Sequence, residues 1–322
     1  MRPPSLSAFC CIAVMWVASP AGSAPVAPVE TPMSSVRHDA VFKVPGGAPD
    51  WMVVTGDSVW VSDYPAGAIH RLDPRTNTIA ATIPIGKAPC SGIAAGFGSI
   101  WVPVCSTHSL ARVDINTNKV AGHLPYGPAD SEGGIATGAG SIWMLTDKAG
   151  TLSRINPATG SVAARIKVPS GSFSCAYGDG AVWVTSTEHN QLVRVDPATN
   201  SVTGVAATGS KPRFLTIGGG SVWTLNQGDG TITRVSSANV AVLATIDAKL
   251  AGTGGEIAWG EGAVWATLFK VPVSRIDPAA NRVSHRWTGP GGDSIRLGFG
   301  SVWLTDLKGH EIWRIAAPQL QR

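Results

Sequence analysis

Seven charged residues lie close in sequence to tryptophans that recur along the chain: Asp50, Asp63, Glu132, Arg213, Glu256, Asp293 and Asp306. Several carboxylates around one arginine could hold a cation or a polar ligand. If burial moves their pKa values apart, they could also serve as a general acid and a general base. The alternative is a rim of solvated loops, where Asp is common because its side chain stabilises turns. The sequence leaves both interpretations open.

Histidines are a weaker indication of chemistry. His108 and His310 each lie seven residues after a tryptophan, and His189 lies six residues after one. Metal ligation by His108 and His310 together with Asp63 or Asp306 stays open, but no compact spacing such as His-x-Glu-x-His supports it. The sequence demonstrates no cofactor. A divalent cation, Mg²⁺ or Ca²⁺, is the one that the carboxylates would suit.

The elements that must position these residues come from a repeat. The pattern Gly-x-Gly-Ser/Ala-Val/Ile-Trp occurs six times, and residues 55–60 form a slightly altered seventh copy. Its tryptophans, 38 to 42 residues apart, are Trp60, Trp101, Trp143, Trp183, Trp223, Trp265 and Trp303. An arginine follows each after 10 or 11 residues, at Arg71, Arg112, Arg154, Arg194, Arg234, Arg275 and Arg314. Residues that are identical in every unit are best explained by architecture, so we interpret both sets as scaffold.

Within a unit the hydrophobic pattern is that of strands. The second unit contains four candidate strands, SGIAAG, SIWVPV, LARVDI and KVAGHLP, and an Asp-Pro-x-Thr-Asn/Gly turn typically joins the last two. Four antiparallel strands, repeated seven times, predict an all-β fold, a seven-bladed β-propeller. The seventh unit ends after its third strand. Residues 40–45 are therefore predicted to supply its outer strand and close the ring.

This fold makes specific predictions for the side chains. The tryptophans should lie on the second strands and pack between blades. An Arg and an Asp two residues apart, such as Arg71 and Asp73, should share a sheet face and pair, either within a blade or between blades. The seven charged residues should gather at the face that carries the loops before the first strands, which we call the upper face.

Cysteines can be interpreted from the hairpin register. If the second unit turns at Phe97-Gly98, Cys90 faces Cys105 at the upper ends of two strands, which predicts a disulfide in an oxidising compartment. Cys175 aligns with apolar residues in the other units, which predicts a buried core thiol.

The N-terminus and the composition indicate the location and the partners. Arg2, an apolar run from Leu6 to Ala18 and small residues after it predict a signal peptide over 1–24, too short in its apolar part to span a membrane. Residues 25–38 are Pro-rich and predict a flexible linker, which leaves 39–322 for the propeller. A net charge of +4 gives no strong nucleic-acid signal. We expect a periplasmic or secreted monomer that binds a small molecule or a protein on its upper face.

The segments GAVWV…LVRVDPATNSV and GIAAGFGSIWV resemble periplasmic propellers of the YVTN type and the streptogramin (virginiamycin B) lyase-like superfamily, over about residues 40–316. The resemblance implies the propeller fold and a group that includes metal-dependent lyases, lactonases and binding proteins. Its lyases use His and Glu at the upper channel mouth, with magnesium. The expected first-strand starts here contain no His: Asp50, Ser91, Gly133, Phe173, Arg213, Gly255 and Asp293. We therefore expect ligand binding without a demonstrable catalytic set, with a lyase or lactone hydrolase as the alternative.

Overall fold

The constant offset between tryptophan and arginine is a strand register. In the computed structural model, which describes residues 27–321, Trp101 pairs with Arg112 and Trp143 with Arg154 on neighbouring antiparallel strands. The same pairing recurs in the other five repeats. Because the register is conserved from repeat to repeat, each repeat folds as a sheet of the same design.

The chain forms 29 strands and three short 3-10 helices within the described residues. The strands are β1 Val29–Pro32, β2 Ala40–Lys43, β3 Pro49–Val54, β4 Val59–Asp63, β5 Ala68–Asp73, β6 Thr78–Pro84, β7 Ala94–Gly96, β8 Ser99–Val104, β9 Ser109–Asp114, β10 Lys119–Leu124, β11 Ile135–Gly138, β12 Ser141–Asp147, β13 Thr151–Ile155, β14 Val162–Lys167, β15 Ser172–Gly178, β16 Ala181–Ser186, β17 Gln191–Asp196, β18 Ser201–Ala207, β19 Pro212–Gly218, β20 Ser221–Asn226, β21 Thr231–Ser236, β22 Val242–Asp247, β23 Ile257–Gly260, β24 Ala263–Leu268, β25 Val271–Asp277, β26 Arg282–Thr288, β27 Ile295–Gly298, β28 Ser301–Asp306 and β29 Glu311–Ala316. The 3-10 helices are Met33–Ser35, Cys105–Thr107 and Ala317–Leu320.

These strands make seven antiparallel sheets that follow one another around a ring. Blades 1 to 5 are β3–β6, β7–β10, β11–β14, β15–β18 and β19–β22, blade 6 contains β23–β26, and blade 7 contains β27–β29. The first strands of neighbouring blades contact each other all the way around, including β27 with β3, so they surround a central channel. The predicted seven-bladed propeller is confirmed.

The N-terminal segment closes the ring as predicted. β2 pairs antiparallel with β29, Ala40 opposite Arg314 and Lys43 opposite Glu311, and so becomes the outer strand of blade 7. This pairing joins the two ends of the propeller and covers an edge that would otherwise be open. The predicted signal peptide, residues 1–24, lies outside the described residues.

The segment predicted to be a flexible linker is residues 25–38, and its described part, residues 27–38, contains regular structure. β1 pairs in parallel with β26, which gives blade 6 a fifth strand, and the 3-10 helix Met33–Ser35 follows it. Met33 is buried in a cluster with Trp287 and Trp313. The Pro-rich composition suits an extended chain, and docking on a blade edge orders that chain.

The second strands carry the structural tryptophans. All seven are fully buried, and in each blade the guanidinium of the paired arginine lies 4.8 to 6.0 Å from the indole centroid. In six blades the indole Nε1–H donates to the glycine carbonyl five residues earlier. Since burying an aromatic side chain stabilises by about 1.5–3 kcal/mol, the repeated tryptophans are scaffold, as predicted.

The expected pairing of each arginine with the aspartate two residues later is wrong. The carboxylate partner of Arg71 is Asp57, at 2.8 Å, whereas Asp73 accepts the backbone N–H of Arg75 at 2.7 Å. Asp114 likewise accepts from backbone N–H groups of its turn, which lowers its carboxyl pKa. These aspartates therefore hold the turn between the third and fourth strands.

Candidate functional site

Five of the seven predicted charged residues line one cavity at the upper end of the channel, where the first strands begin. This upper cavity has a volume of about 310 Å³, and the five are Asp50, Glu132, Arg213, Glu256 and Asp293. They come from the starts of the first strands in blades 1, 3, 5, 6 and 7 and from the loops before them. Closure of the ring thus gathers residues that are far apart in sequence.

Asp50 and Asp293 form the centre of the acidic side. Their carboxyl groups are hydrogen-bonded to each other, and Asp293 also accepts the backbone N–H of Gly255 at 3.0 Å. Burial, and then the charge of Asp293, raises the pKa of Asp50 well above its usual range; burial also raises the pKa of Asp293. Neither carboxyl has a basic partner among residues 27–321. Since two neighbouring buried carboxyls cannot both ionise cheaply, the pair favours a state that keeps one proton.

A second acidic group on the cavity wall is already neutralised. The Oε2 atom of Glu132 lies 2.6 Å from an Arg213 nitrogen, and this ion pair spans from blade 3 to blade 5. The guanidinium of Arg213 also lies over the rings of Phe173 and Phe214, at 4.5 and 5.3 Å from their centroids. Carboxylate and aromatic contacts together fix this arginine, so it is not free to pair with Asp50.

Glu256 is also paired, but deeper in the channel. It is 6% exposed, its Oε1 lies 2.5 Å from an Arg296 nitrogen, and its Oε2 accepts from the Ser294 hydroxyl at 2.6 Å. Arg296 was not predicted as a site residue. It lies two residues further along the chain than Ser294, and its partner Glu256 belongs to the neighbouring blade, so the sequence carried no pairing signal.

Two aromatic residues form the floor of the upper cavity. Trp51 and Phe214 are 6% and 4% exposed, meet edge to face at 5.5 Å, and line both the upper cavity and a lower one of about 340 Å³. Strand pairing shifts between Pro49 and Met52, and again between Pro212 and Phe214. Such irregularities let consecutive side chains face the channel, which simple alternation does not allow.

Sequence reasoning missed Trp51 and Phe214 for that reason. The sequence position nine residues before each structural tryptophan could have identified them. That position holds Gly92, Gly134, Ser174 and Ser294 in four blades, but Trp51, Phe214 and Glu256 in the other three. A position that varies so strongly among blades is a site candidate by the same criterion that selected the acids.

Side-chain hydroxyls hold the upper ends of several first strands. Two residues after the structural tryptophan, Ser62 accepts the backbone N–H of Trp51 at 3.0 Å, and Thr267 accepts that of Glu256 at 2.7 Å. The Thr267 hydroxyl also lies 2.6 Å from the Asp293 carbonyl oxygen, to which it donates. Thr267 thereby fixes site residues of two neighbouring blades.

Asp63 and Asp306 do not line the upper cavity. Asp63 is buried, lies 3.1 Å from Nε2 of His70, and accepts the Ala48 N–H at 2.9 Å, which indicates a structural role. Asp306 accepts the Gly309 N–H at 3.0 Å and lines a side cavity of about 290 Å³.

Besides the lower cavity, the upper cavity adjoins two cavities at the upper face. The side cavity of Asp306 shares Phe269 and Leu307 with the upper cavity. A fourth cavity, of about 540 Å³, shares Arg213 with the upper cavity. A ligand in the upper cavity could therefore extend into either neighbouring cavity, toward blade 4 or toward blade 7.

The histidines do not build a metal site. His310 bonds to the Gly47 carbonyl, His189 lies 3.1 Å from the Ser170 hydroxyl, and His108 follows a 3-10 helix with left-handed backbone. None of them lines the upper cavity. Within residues 27–321 no group of three His, Cys, Asp or Glu side chains is arranged to hold a metal ion. The cavity's oxygen donors are of the kind that Mg²⁺ or Ca²⁺ accepts, but the histidine of the lyase-like pattern is not among them.

The predicted disulfide between Cys90 and Cys105 is confirmed, with Cα atoms 5.9 Å apart. It holds the loop before β7, the short first strand of blade 2. The Cys90 carbonyl accepts the N–H of Glu132 at 2.7 Å, so this loop also supports the ion pair on the cavity wall. Cys175 is buried as predicted, and burial raises its pKa to about 12.

Comparisons with known proteins support the fold. A family model described as "Repeat of unknown function (DUF6923)" matches residues 103–251, and no curated protein matches the chain. No helix in the described part of the chain has the length and apolarity needed to cross a membrane.

Several solved structures share the architecture. A streptogramin B lyase is 19% identical, with a TM-score of 0.70 over 84% of this chain and 94% of its own. A catalytically inactive virginiamycin B lyase from Staphylococcus aureus with quinupristin is 15% identical, with a TM-score of 0.70 over 85% and 97%. BamB from Moraxella catarrhalis is 12% identical, with a TM-score of 0.61 over 83% and 84%. At these identities the likeness concerns the fold.

Proposed function

We propose that this propeller binds a small organic cation in its upper cavity. The observation that carries the proposal is the Asp50–Asp293 carboxyl pair, which lies at the channel mouth without a basic partner among the described residues. Glu132 and Glu256 already have Arg213 and Arg296. An ammonium group would take the place of the proton on the pair and donate two charge-assisted hydrogen bonds, one to each carboxylate.

The remaining walls favour an organic ammonium over a bare ion. Trp51 and Phe214 form an aromatic floor, and Phe269 and Leu307 add apolar surface. Aromatic rings attract cations through their faces, and apolar surface contributes when a carbon skeleton covers it. The whole chain carries a net charge of +4, so the acidic mouth is a local feature with its own selectivity.

Matched ligands test the proposal by isothermal titration calorimetry. We expect 2-phenylethylamine to bind at neutral pH and 3-phenylpropionate, of similar size and opposite charge, not to bind. Asp50→Asn and Asp293→Asn should each weaken amine binding about tenfold or more, since a hydrogen bond to a charged group contributes about 1.5–3 kcal/mol. Asp179→Asn is the matched control, because Asp179 is an exposed residue of the hairpin between β15 and β16. Equal affinity for the amine and the carboxylate would overturn the proposal.

A second candidate function is a lyase or lactone hydrolase. Two hydrogen-bonded carboxyls with raised pKa values favour it, because one could accept a proton near neutral pH while the other donates one. A divalent cation held by Asp50 and Asp293 would supply a Lewis acid for a carbonyl oxygen. Incubation with lactones and cyclic depsipeptides, with Mg²⁺ or with EDTA, tests this. Elimination leaves the product mass unchanged and hydrolysis adds one water, while intact substrate in every condition argues against both.

We also propose that the protein works in an oxidising compartment, periplasmic or extracellular, as a monomer. The Cys90–Cys105 disulfide supports this location, since such bonds persist where thiols are not kept reduced. A protein partner that presents a lysine or an amino terminus to the upper cavity would satisfy the same chemistry as a free amine.

A further inference from the structure

One arginine lies in the channel below the upper cavity, at a level where the other blades place small side chains. On each first strand, one residue pairs with the structural tryptophan of its blade, and in blade 7 this residue is Arg296. In the other six blades it is Val53, Ala94, Ala136, Ala176, Thr216 or Ala258. All seven line the lower cavity or a neighbouring cavity of about 370 Å³, which we call the basal cavity. The small residues therefore leave room around a single guanidinium.

Part of this guanidinium is accessible from the channel. The side chain of Arg296 is 25% exposed, and it lines both the lower and the basal cavity. Its Nη1 donates to the Ile295 carbonyl at 2.7 Å and its Nη2 donates to Glu256, which leaves further N–H groups of the guanidinium unused. Its Nε–H has no acceptor among residues 27–321 and is not buried, in contrast to the buried, unpartnered Nε atoms of Arg194 and Arg275. Arg296 can therefore donate to a molecule in the channel.

The charge balance around Arg296 favours a neutral ligand. Among the described residues, Glu256 is the one acid that lines the lower and the basal cavity, and it is already paired with Arg296. This pair has no net charge. A ligand carboxylate would lose its hydration and would bring a second negative charge next to Glu256. A carbonyl oxygen can accept from the remaining N–H groups without either cost.

Aromatic rings line the same space. Tyr177 lines both the lower and the basal cavity, and Trp259 lines the basal one. A Cβ atom added at Gly138 would overlap the Tyr177 ring, and one added at Gly218 would overlap the Trp259 ring. Each ring therefore lies directly on the backbone of the preceding blade. Both side chains are only half-buried, so the cavities have aromatic walls that suit a flat aromatic skeleton.

We propose that the lower and basal cavities form a second binding site, which takes a neutral aromatic carbonyl compound whose oxygen accepts from Arg296. Trp51 and Phe214 form the floor between this site and the upper cavity, so the second site does not depend on the cation proposed there. With volumes of about 340 and 370 Å³, the two cavities have room for a molecule with two fused rings. Aromatic amides and lactams have the required chemistry.

Two ligands of the same shape test this charge preference by isothermal titration calorimetry. 2-Naphthamide is neutral, and 2-naphthoate has a carboxylate in place of the amide. We expect the wild-type protein to bind the amide about tenfold more tightly than the carboxylate, or better. Saturating 2-phenylethylamine, the probe of the upper cavity, should leave the affinity for the amide unchanged. Absence of amide binding, equal or tighter binding of the carboxylate, or competition by 2-phenylethylamine would each overturn the inference.

Substitutions test the position of the site. Glu256→Gln keeps the size of the side chain and leaves Arg296 with an unbalanced positive charge, so 2-naphthoate should now bind more tightly than 2-naphthamide. Ala176 lines both cavities, so Ala176→Phe should fill part of the site and weaken amide binding about tenfold or more. Ala198→Phe, in an exposed turn, is the matched control and should preserve binding.

The variants can also contradict the inference. If Glu256→Gln keeps the preference for the amide, Arg296 does not hold the carbonyl oxygen. If Ala176→Phe binds the amide as the wild-type protein does, the ligand lies elsewhere. The comparison of the two ligands in the wild-type protein needs no variant, so it decides even if a variant fails to fold.

Discussion

The second strands and the upper ends of the first strands belong to the same hairpins but are constructed in opposite ways. Each second strand carries a fully buried tryptophan under a paired arginine, and this arrangement is repeated seven times. At the upper ends of the first strands, equivalent positions hold acids, an arginine, aromatic residues, glycine or serine. Repetition marks the residues that every blade needs to fold. Variation marks the place where the ring can hold one asymmetric ligand.

The repeated arginines differ in one respect: some of them bond to the next blade and others do not. Arg154 donates to the Pro197 carbonyl at 2.7 Å and to the Asn200 side chain at 3.0 Å, both in the next blade. Arg112 has no such bonds among the described residues, because the position equivalent to Asn200 is Gly160 in blade 3. The asparagine has left-handed backbone, with φ of 54°, which Asn and Gly tolerate. A single turn residue thus decides whether two blades are joined by an arginine.

The largest effect should come from removing one of the buried tryptophans. Trp143→Ala should lower the free energy of unfolding by about 3–5 kcal/mol, because it opens a cavity between blades. Equilibrium unfolding in denaturant measures this. Trp143→Phe, which keeps an aromatic ring, should cost less. A cost below about 1 kcal/mol for the alanine variant would mean that the tryptophan ring does not hold the blades together.

Removing an arginine should have a smaller effect, which depends on the bonds that the arginine forms to the next blade. Arg154→Ala should lower the free energy of unfolding by about 1.5–3 kcal/mol more than Arg112→Ala, since only Arg154 bonds to the next blade. Both arginines stack on their tryptophan and donate to a serine, so each variant loses those contacts alike. Denaturant unfolding of the two variants side by side checks this. Equal costs would show that the bonds between blades add nothing.

The fold could be predicted almost completely, because the same pattern of strands and turns occurs in seven units of the sequence. The outer strand of blade 7 was predictable because the seventh unit lacks one. β1 was not, because its pairing with β26 joins segments far apart in sequence and its Pro-rich composition suggested a linker. Nothing in that local sequence shows which edge will be covered.

The candidate site was predictable in part, by its variation among blades. Asp50 and Asp293 were found because they occupy equivalent positions ten residues before their tryptophans. The position of Asp63 varies among blades as much as that of Asp50. Asp63 is nevertheless buried and paired with His70 on the next strand, so it does not reach the cavity. Trp51 was missed because the irregular start of β3 turns two consecutive side chains toward the channel. Variation thus locates the rim, and contacts between strands decide which of its residues reach the cavity.

The smallest effect should come from the Asp50–Asp293 carboxyl pair. Its contribution to the free energy of unfolding should depend on pH, whereas that of the buried tryptophans should not. The pKa values of Asp50 and Asp293 are raised by burial above those of the unfolded chain. Above the unfolded pKa of about 3.9, the folded protein therefore binds more protons than the unfolded one, and its stability falls as pH rises toward the folded pKa. Asp50→Asn removes this penalty, so it should raise Tm at pH 7 by about 1–2 °C, which corresponds to about 1 kcal/mol for a chain of this length.

The same substitution should give no such gain near pH 3, where the carboxyls are protonated in both the folded and the unfolded states. Thermal unfolding of the wild-type protein, Asp50→Asn and Asp179→Asn from pH 3 to pH 8 tests this, with the exposed Asp179 as the control for a lost surface charge. A gain for Asp50→Asn that grows with pH, absent from Asp179→Asn, would show that the mouth is held in an unfavourable charge state that a cation can relieve. A loss of stability that is the same at every pH would instead make Asp50 a structural residue, like the tryptophans of the ring.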